Sequence, residues 1–312
     1  MYQKYLLFMS YIGTRYRGAA KTIRSNKLVD LDSIEGAIEA GFITAASPQS
    51  LCFPKVRISS RTDAGVHALL NAAEITLEHP NNEFYQPKLL LPRINLWFAR
   101  CGHEIRLTDI FPIDKEFSYR KAKSRTYFYR FFIAKEYGQH QVPIVEYGRS
   151  WHVRGKNIDL EALNNALRLF RGKKNYASFS PKNRTNKEIN YVKDLMHISL
   201  DPTHPLMPED PLSNNFNFYN ITIQSRSFVY NQVRRMIGCL IALASGSITE
   251  RDIKILLNCP SYLNWPNEYC VAPPQGLYLK SVEYDEKLLE QHIIKVEPKC
   301  ETISAEKISA IN

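Results

Sequence analysis

Val56-Arg57-Ile58-Ser59-Ser60-Arg61-Thr62-Asp63-Ala64-Gly65-Val66-His67-Ala68 is the stretch around which the chain is organised. Val56–Ser60 alternates apolar and polar residues, the period of a half-buried strand. It runs into Arg61–His67, and Ala72–Leu77 reads as a further strand. A carboxylate on a turn between strands is carried by a rigid frame, the usual placement for a group that does chemistry. Gly65 is where the backbone must bend or be approached closely. If Arg61 pairs with Asp63, its charge holds the carboxyl ionised, below the ordinary range. The plainer alternative is that Asp63 closes an Asx turn and Arg61 is solvated.

Outward from this stretch, strands and helices follow one another without the strict alternation of a parallel doubly wound fold. Lys4–Tyr11 is apolar and aromatic and leads to Gly13 and Gly18, as a central strand entering a turn does. Asp32, with Glu35 three residues on, predicts a helix cap, and Ile34, Ala37, Ile38 and Phe42 predict a helix over about 33–45. Pro87–Phe98 is helical early on, with Pro92 limiting its length. Ile105–Ile113 and Arg125–Ala134 are strands, and Pro143–Gly155 reads as an irregular junction. Asp159 caps a helix ended by Gly172, and Asn175–Lys187 is a polar, basic loop. Tyr191–Leu200 and Phe216–Phe228 are strands. Tyr230–Ser245 carries the widest apolar stripe, Val233, Met236, Ile237, Leu240, Ile241 and Ala244. Thr249 with Asp252 opens a shorter helix, Gly276–Asp285 is the last strand, and the tail from Lys287 is polar and loosely held. Long strands in succession predict an α+β fold with antiparallel sheets. The expected division is 1–114, 115–286 and a tail, 287–312.

Composition narrows the class of function. Across 312 residues, 41 Lys and Arg against 31 Asp and Glu give a formal charge of +10, which favours an anionic partner, nucleic acid ahead of a membrane surface. Apolar runs such as Met236–Ala244 fall well short of the ~20 residues of a membrane span. Cys52, Cys101, Cys239, Cys259, Cys270 and Cys300 show no CxxC pair, which suits neither a zinc site nor a secreted disulfide framework. They read as reduced thiols inside a cell. A strand by Tyr5–Tyr11 leaves no room for a secretory signal or a long presequence.

Five motifs carry a resemblance. Ser60-Arg61-Thr62-Asp63-Ala64-Gly65-Val66-His67-Ala68 resembles the GRTDxGVHA signature of the TruA family of tRNA pseudouridine synthases. Tyr11–Gly18 is similar to its opening YxGxxYxG, and Ser124–Arg130 to its RxYxYR strand. Ser227–Gly238 resembles SFLYxQVRRMxG, and Ala272–Leu279 resembles APxxGLxL. The motifs stand in family order, and the context around Cys52–Leu69 is most similar to the animal tRNA pseudouridine synthase-like 1 branch.

The resemblance implies an isomerase, an intramolecular transferase that converts uridine in tRNA to pseudouridine without a cofactor. It implies Asp63 as the catalytic carboxylate, Tyr127 packing on the target base, and Arg234 pairing with Asp63. Arg61 is implied in flipping the nucleotide. Thr62, His67 and Arg125 join Arg61 and Tyr127 in the expected substrate-binding set. The implied fold is a pair of related α+β subdomains whose antiparallel sheets meet at a central basic cleft, with helices on the outer faces. The implied partner is tRNA, a homodimer is an option, and the compartment is mitochondrial or cytoplasmic, the former favoured by the resemblance.

The residues fit those roles. A target base must leave its stack, which costs a few kcal/mol and calls for a stacking aromatic and an inserting cation. Taken alone, Tyr127 reads as a core aromatic of its strand. Arg234 heads an apolar helix, where a half-buried arginine needs an anion, and Asp63 is the natural one. His67 beside Asp63 reads most simply as a turn-stabilising residue. Basic clusters at Arg120, Lys121, Lys123 and Arg125, and at Lys173, Lys174, Lys182, Arg184 and Lys187, interleave with Tyr119 and Tyr176 in the pattern of RNA-backbone binding. Each cluster alone also reads as a solvated face.

The chain departs from the family in three places. Ala19-Ala20-Lys21-Thr22 stands where a GWQRQ-like stretch is common, Ile189-Asn190-Tyr191 where IRT is usual, and Ser60 where glycine precedes RTD. Two classes of function fit: an active tRNA pseudouridine synthase, or a catalytically idle RNA-binding or assembly factor on the same fold. The presence of Asp63, Tyr127 and Arg234 together favours the enzyme. A metal nuclease would need further carboxylates near Asp63, and the local sequence has none.

Overall fold

Three consecutive residues explain the first strand, β1 (Tyr2–Tyr11): Tyr5, Leu6 and Leu7 are all fully buried, so both faces of the strand are covered. The computed structural model describes residues 2–21, 30–46, 54–79, 83–155, 157–183, 188–266 and 269–296. Helix α1 (Ile34–Ala46) forms where its spacing predicts. Its cap is Ser33 and not Asp32: Ser33 Oγ accepts from the Gly36 amide at 3.2 Å. Glu35 closes no capping box, because its carboxylate accepts instead from the amides of Lys21 (2.9 Å) and Ile58 (3.1 Å).

Strands β2 (Lys55–Ile58) and β3 (His67–Glu78) flank the loop that carries Asp63. Helix α2 (Pro87–Arg100) runs through Pro92, contrary to expectation. Leu90, Ile94 and Phe98 are buried four residues apart along one side. Seating three such side chains, at roughly 1.5–3 kcal/mol each, outweighs the ~3 kcal/mol of a proline inside a helix.

Strands β4 (Ile105–Ile113) and β5 (Ser124–Ala134) follow as expected. The segment expected to be irregular instead contributes β6 (Trp151–Val153), paired in parallel with Phe131–Ile133 of β5. It is pinned by Glu146, fully buried, whose carboxylate takes Arg130 Nη2 at 2.7 Å and the Leu206 amide at 2.8 Å. A buried charge persists only with such partners.

Helix α3 (Leu160–Leu167) is capped by Asp159, which accepts from the Ala162 amide at 2.8 Å. Then come β7 (Gly172–Asn175), β8 (Val192–Thr203) and β9 (Phe216–Ser225). In helix α4 (Gln232–Ala244) the whole apolar stripe is buried. Helix α5 (Glu250–Asn258) has the Thr249–Asp252 capping box. Strand β10 (Leu277–Glu283) precedes α6 (Glu286–His292), where a loose tail was expected. Asp285 caps α6, and His292 Nδ1 meets Asp114 Oδ2 at 2.7 Å. Residues 297–312 of that tail lie outside the described residues.

The architecture is mixed α+β, as the succession of strands predicts. Among the described residues ten strands form one sheet, ordered β4-β1-β3-β10-β5-β9-β8-β7, with β2 beside β3 and β6 beside β5. Among the described residues, β10–β3 and β5–β6 pair in parallel and the other neighbours antiparallel. One edge of β3 is shared: β2 pairs with Ala73–Thr76, and β10 with His67–Ala68. Residues 59–66 leave the sheet between these two partners. β10 also pairs along β5, so the strand beside the end of the loop connects β3 to β5.

Candidate active site

Asp63 rides on the loop between β2 and β3, and the loop is held from behind by the first glycine motif. Gly13 lies so close to Val66 that a Cβ would overlap its carbonyl. The Ala19 amide donates to Thr62 O at 3.0 Å, beside Gly18, whose φ of +129° favours glycine. Tyr11 Oη and Thr62 Oγ1 are 2.8 Å apart, and buried Asn71 donates to both Tyr11 Oη (3.0 Å) and Ser60 O (2.8 Å). Gly65, at φ +78°, lets the loop turn against Pro274. Thr62 therefore lines the pocket while its hydroxyl is committed to Tyr11.

His67, expected among the substrate-binding residues, is fully buried and lies outside the pocket lining. Its Nδ1 accepts from the Gly13 amide at 2.9 Å, which leaves the proton on Nε2 to be donated to Gln275 O at 3.1 Å. Burial lowers its pKa to about 4, so the ring is neutral. It joins the loop to the Pro274–Gly276 turn, the stabilising role the plainer reading gives it.

Arg234 reaches Asp63 from the first turn of α4, Nη1 to Oδ2 at 3.8 Å. Its guanidinium is aimed by Nε donating to Ala272 O (2.7 Å) and Nη1 to Asn231 Oδ1 (3.3 Å). Asn231 takes a left-handed conformation, φ +60°, at the helix start. One turn along α4, Gly238 lacks the Cβ that would overlap Cys270 O, and this brings the 270–272 segment onto the helix. Both side chains are largely withdrawn from solvent, Arg234 at 17% and Asp63 at 24% exposure.

The electrostatics reverse an expectation. Burial raises the Asp63 carboxyl above its ordinary pKa, and the Arg234 charge pulls it back only in part. Arg61, expected to lower it, is exposed where it lines the pocket. Desolvation of the carboxylate outweighs a single cation at 3.8 Å.

Tyr127, on β5, places its hydroxyl 2.9 Å from Ser60 Oγ and meets the Phe228 ring edge-on, centroids 5.2 Å apart. Burial pushes its phenol up to about 12, so it stays protonated. Arg125 donates to two backbone carbonyls, Arg226 O at 2.6 Å and Ser59 O at 3.0 Å, and so braces the wall it lines.

These groups surround one open pocket of about 710 Å³. Arg61, Arg120, Arg125, Arg226 and Arg234 line it, and among the described residues Asp63 is its one carboxylate. Arg226 and Phe228 were missed as site residues. Both sit at the junction of β9 and α4 inside or beside the SFVYNQVRR stretch, a position whose aromatic and cation were a readable signal. Of the second basic cluster, Lys173 and Lys174 lie on β7 away from this pocket, and Arg184 and Lys187 fall outside the described residues. Among the described residues no three His, Cys, Asp or Glu side chains gather to hold a metal, and no helix is long and apolar enough to cross a membrane.

A family model described as tRNA pseudouridine synthase matches residues 166–285. The tRNA pseudouridine synthase-like 1 of Xenopus laevis is 31% identical over 287 residues, covering 90% of this chain and 91% of that protein. This chain belongs to the TruA-type tRNA pseudouridine synthases. That of Homo sapiens is 30% identical, covering 90% of each chain. The tRNA pseudouridine synthase A of Leptospira biflexa is 28% identical, covering 90% of this chain and 94% of that one. Within this TruA-type chain the family match reaches Arg226, Phe228 and Arg234, the α4 side of the pocket, while Asp63 comes from a loop and Tyr127 from a strand before it.

Proposed function

We propose that the protein isomerises uridine to pseudouridine in tRNA and that Asp63 is its catalytic carboxylate. The observation that carries this reading is a largely buried carboxylate, the one in the pocket among the described residues, facing Arg234 at 3.8 Å amid arginines. The reaction breaks the N1–C1′ bond, turns the uracil and joins C5 to C1′; the C5 hydrogen leaves as a proton and N1 takes one up from solvent, so the product is an isomer. Nothing is oxidised or reduced. A carboxylate assists by adding covalently to the sugar or the base, or by taking a proton from C2′. Both routes need it ionised, and Arg234 favours that form.

Tyr127 packs on the turned-out uracil, and Arg61 fills the gap it leaves in the stack. The remaining arginines meet the phosphates on either side, with Arg125 and Thr62 shaping the wall. The test uses tRNA tritiated at uracil C5. The unaltered protein is expected to release label, whereas Asp63→Asn binds tRNA within a few-fold of normal and releases none, since acid–base work alone is worth ~10²–10⁴-fold. No release by the unaltered protein from any cellular tRNA pool would leave an RNA-binding factor on the same fold. Full activity of Asp63→Asn would move the chemistry to another residue.

A further inference from the structure

Besides the Arg125 bonds to Ser59, the loop that carries Asp63 is tied to the strand that carries Tyr127 by Ser60 Oγ to Tyr127 Oη, 2.9 Å. Ser60 is 4% and Tyr127 7% exposed, so two hydroxyls withdrawn from water satisfy each other. The backbone of the serine is held in turn, because Asn71 donates to its carbonyl at 2.8 Å. Phe228 bounds the tyrosine ring edge-on, at 88°. The hydroxyl bond fixes what Phe228 leaves free, the swing of the phenol toward or away from the loop. Glycine, the residue of the related signature at this place, would leave Tyr127 Oη without this partner.

We propose that Ser60 is a positioning residue: its hydroxyl locks the ring of Tyr127 at a set distance and angle from Asp63, and so governs how the uracil is held while it turns. The inference rests on the function proposed above. Ser60 acts through Tyr127 and carries out no step itself. It is to be told apart from Ser59, whose Oγ meets Tyr119 O, Tyr284 Oη and Arg125 and braces the outer wall. Since phosphate contacts dominate RNA affinity, losing the Ser60 bond is expected in the chemical step and not in binding.

The test is a double-mutant cycle on C5-tritium release in single turnover, with tRNA affinity measured alongside. Ser60→Ala is expected to slow release ~3- to 10-fold, the rate equivalent of one lost neutral hydrogen bond. Affinity for tRNA should stay within about twofold, because its phosphate contacts are intact. Tyr127→Phe removes the same bond from the strand side, which keeps the inference testable should Ser60→Ala fold poorly. The double variant is expected to be no slower than Tyr127→Phe alone. Multiplying effects, an unchanged rate in Ser60→Ala, or a loss confined to affinity would overturn the inference while label release by the unaltered protein keeps the proposed function standing. No label release by the unaltered protein overturns both.

Discussion

The Asp63 carboxyl is subject to two opposed influences, burial that favours the protonated acid and Arg234 that favours the anion, and burial is the larger. If the ionised form does the chemistry, the acid limb of the pH–rate profile lies above the ordinary aspartate value of ~3.9, and Arg234→Ala moves it higher still. Arg234→Lys recovers the limb only in part, since an ammonium lacks the fork that also holds Ala272 O and Asn231 Oδ1. For stability the sign is fixed by the raised pKa. The proton on Asp63 contributes stability that is present below the ordinary aspartate range and lost as pH rises through the raised value. Asp63→Asn is therefore expected to melt no lower than the unaltered protein at pH 7, which thermal denaturation followed by circular dichroism would check. The motif made Asp63, Tyr127 and Arg234 legible, but not the direction of the shift. Burial of the loop depends on Gly13, Asn71 and Pro274, residues that only the fold gathers there.

Among the elements, α4 couples packing to the site most directly. Arg234 and Gly238 lie one turn apart, and the same 270–272 segment that rests on Gly238 supplies the carbonyl that aims Arg234. Gly238→Ala would thrust a methyl into the Cys270 carbonyl. A cost of ~1–3 kcal/mol or more in urea denaturation is expected from such overpacking, together with slower label release as Arg234 loses its guide. Gly246→Ala is the contrast: at φ +74° it strains the backbone and should cost stability too, but its added Cβ meets no neighbour, so Arg234 stays in place and label release is unchanged. Periodicity made most elements readable, α4 above all. It failed where distant contacts decide. Pro92 sits inside α2 because the buried face holds the helix on both sides, and β6 exists because β5 offers it an edge.

For the whole molecule, the +10 charge and the arginine lining of the pocket make affinity for tRNA an electrostatic quantity. Binding is expected to weaken steeply with salt, each phosphate contact adding ~0.7–0.9 to the log–log slope. Arg226→Ala should reduce that slope by about one contact and weaken all tRNAs alike, readable by filter binding across a salt series. The α+β class was evident in the sequence, whereas the sheet order was not. No local pattern announces that residues 277–283 slot between β3 and β5. That insertion also bears on translation. A ribosome that has released the first 276 residues has made β1–β9 but not the strand that links β3 to β5. The nascent chain therefore carries Asp63 and Tyr127 on strand groups that no strand pairing yet joins, and is expected to become competent only when the last strand emerges. Chains stalled before Leu277 should be cut readily by protease near the β4–β5 connection, and chains released past Glu283 should resist it.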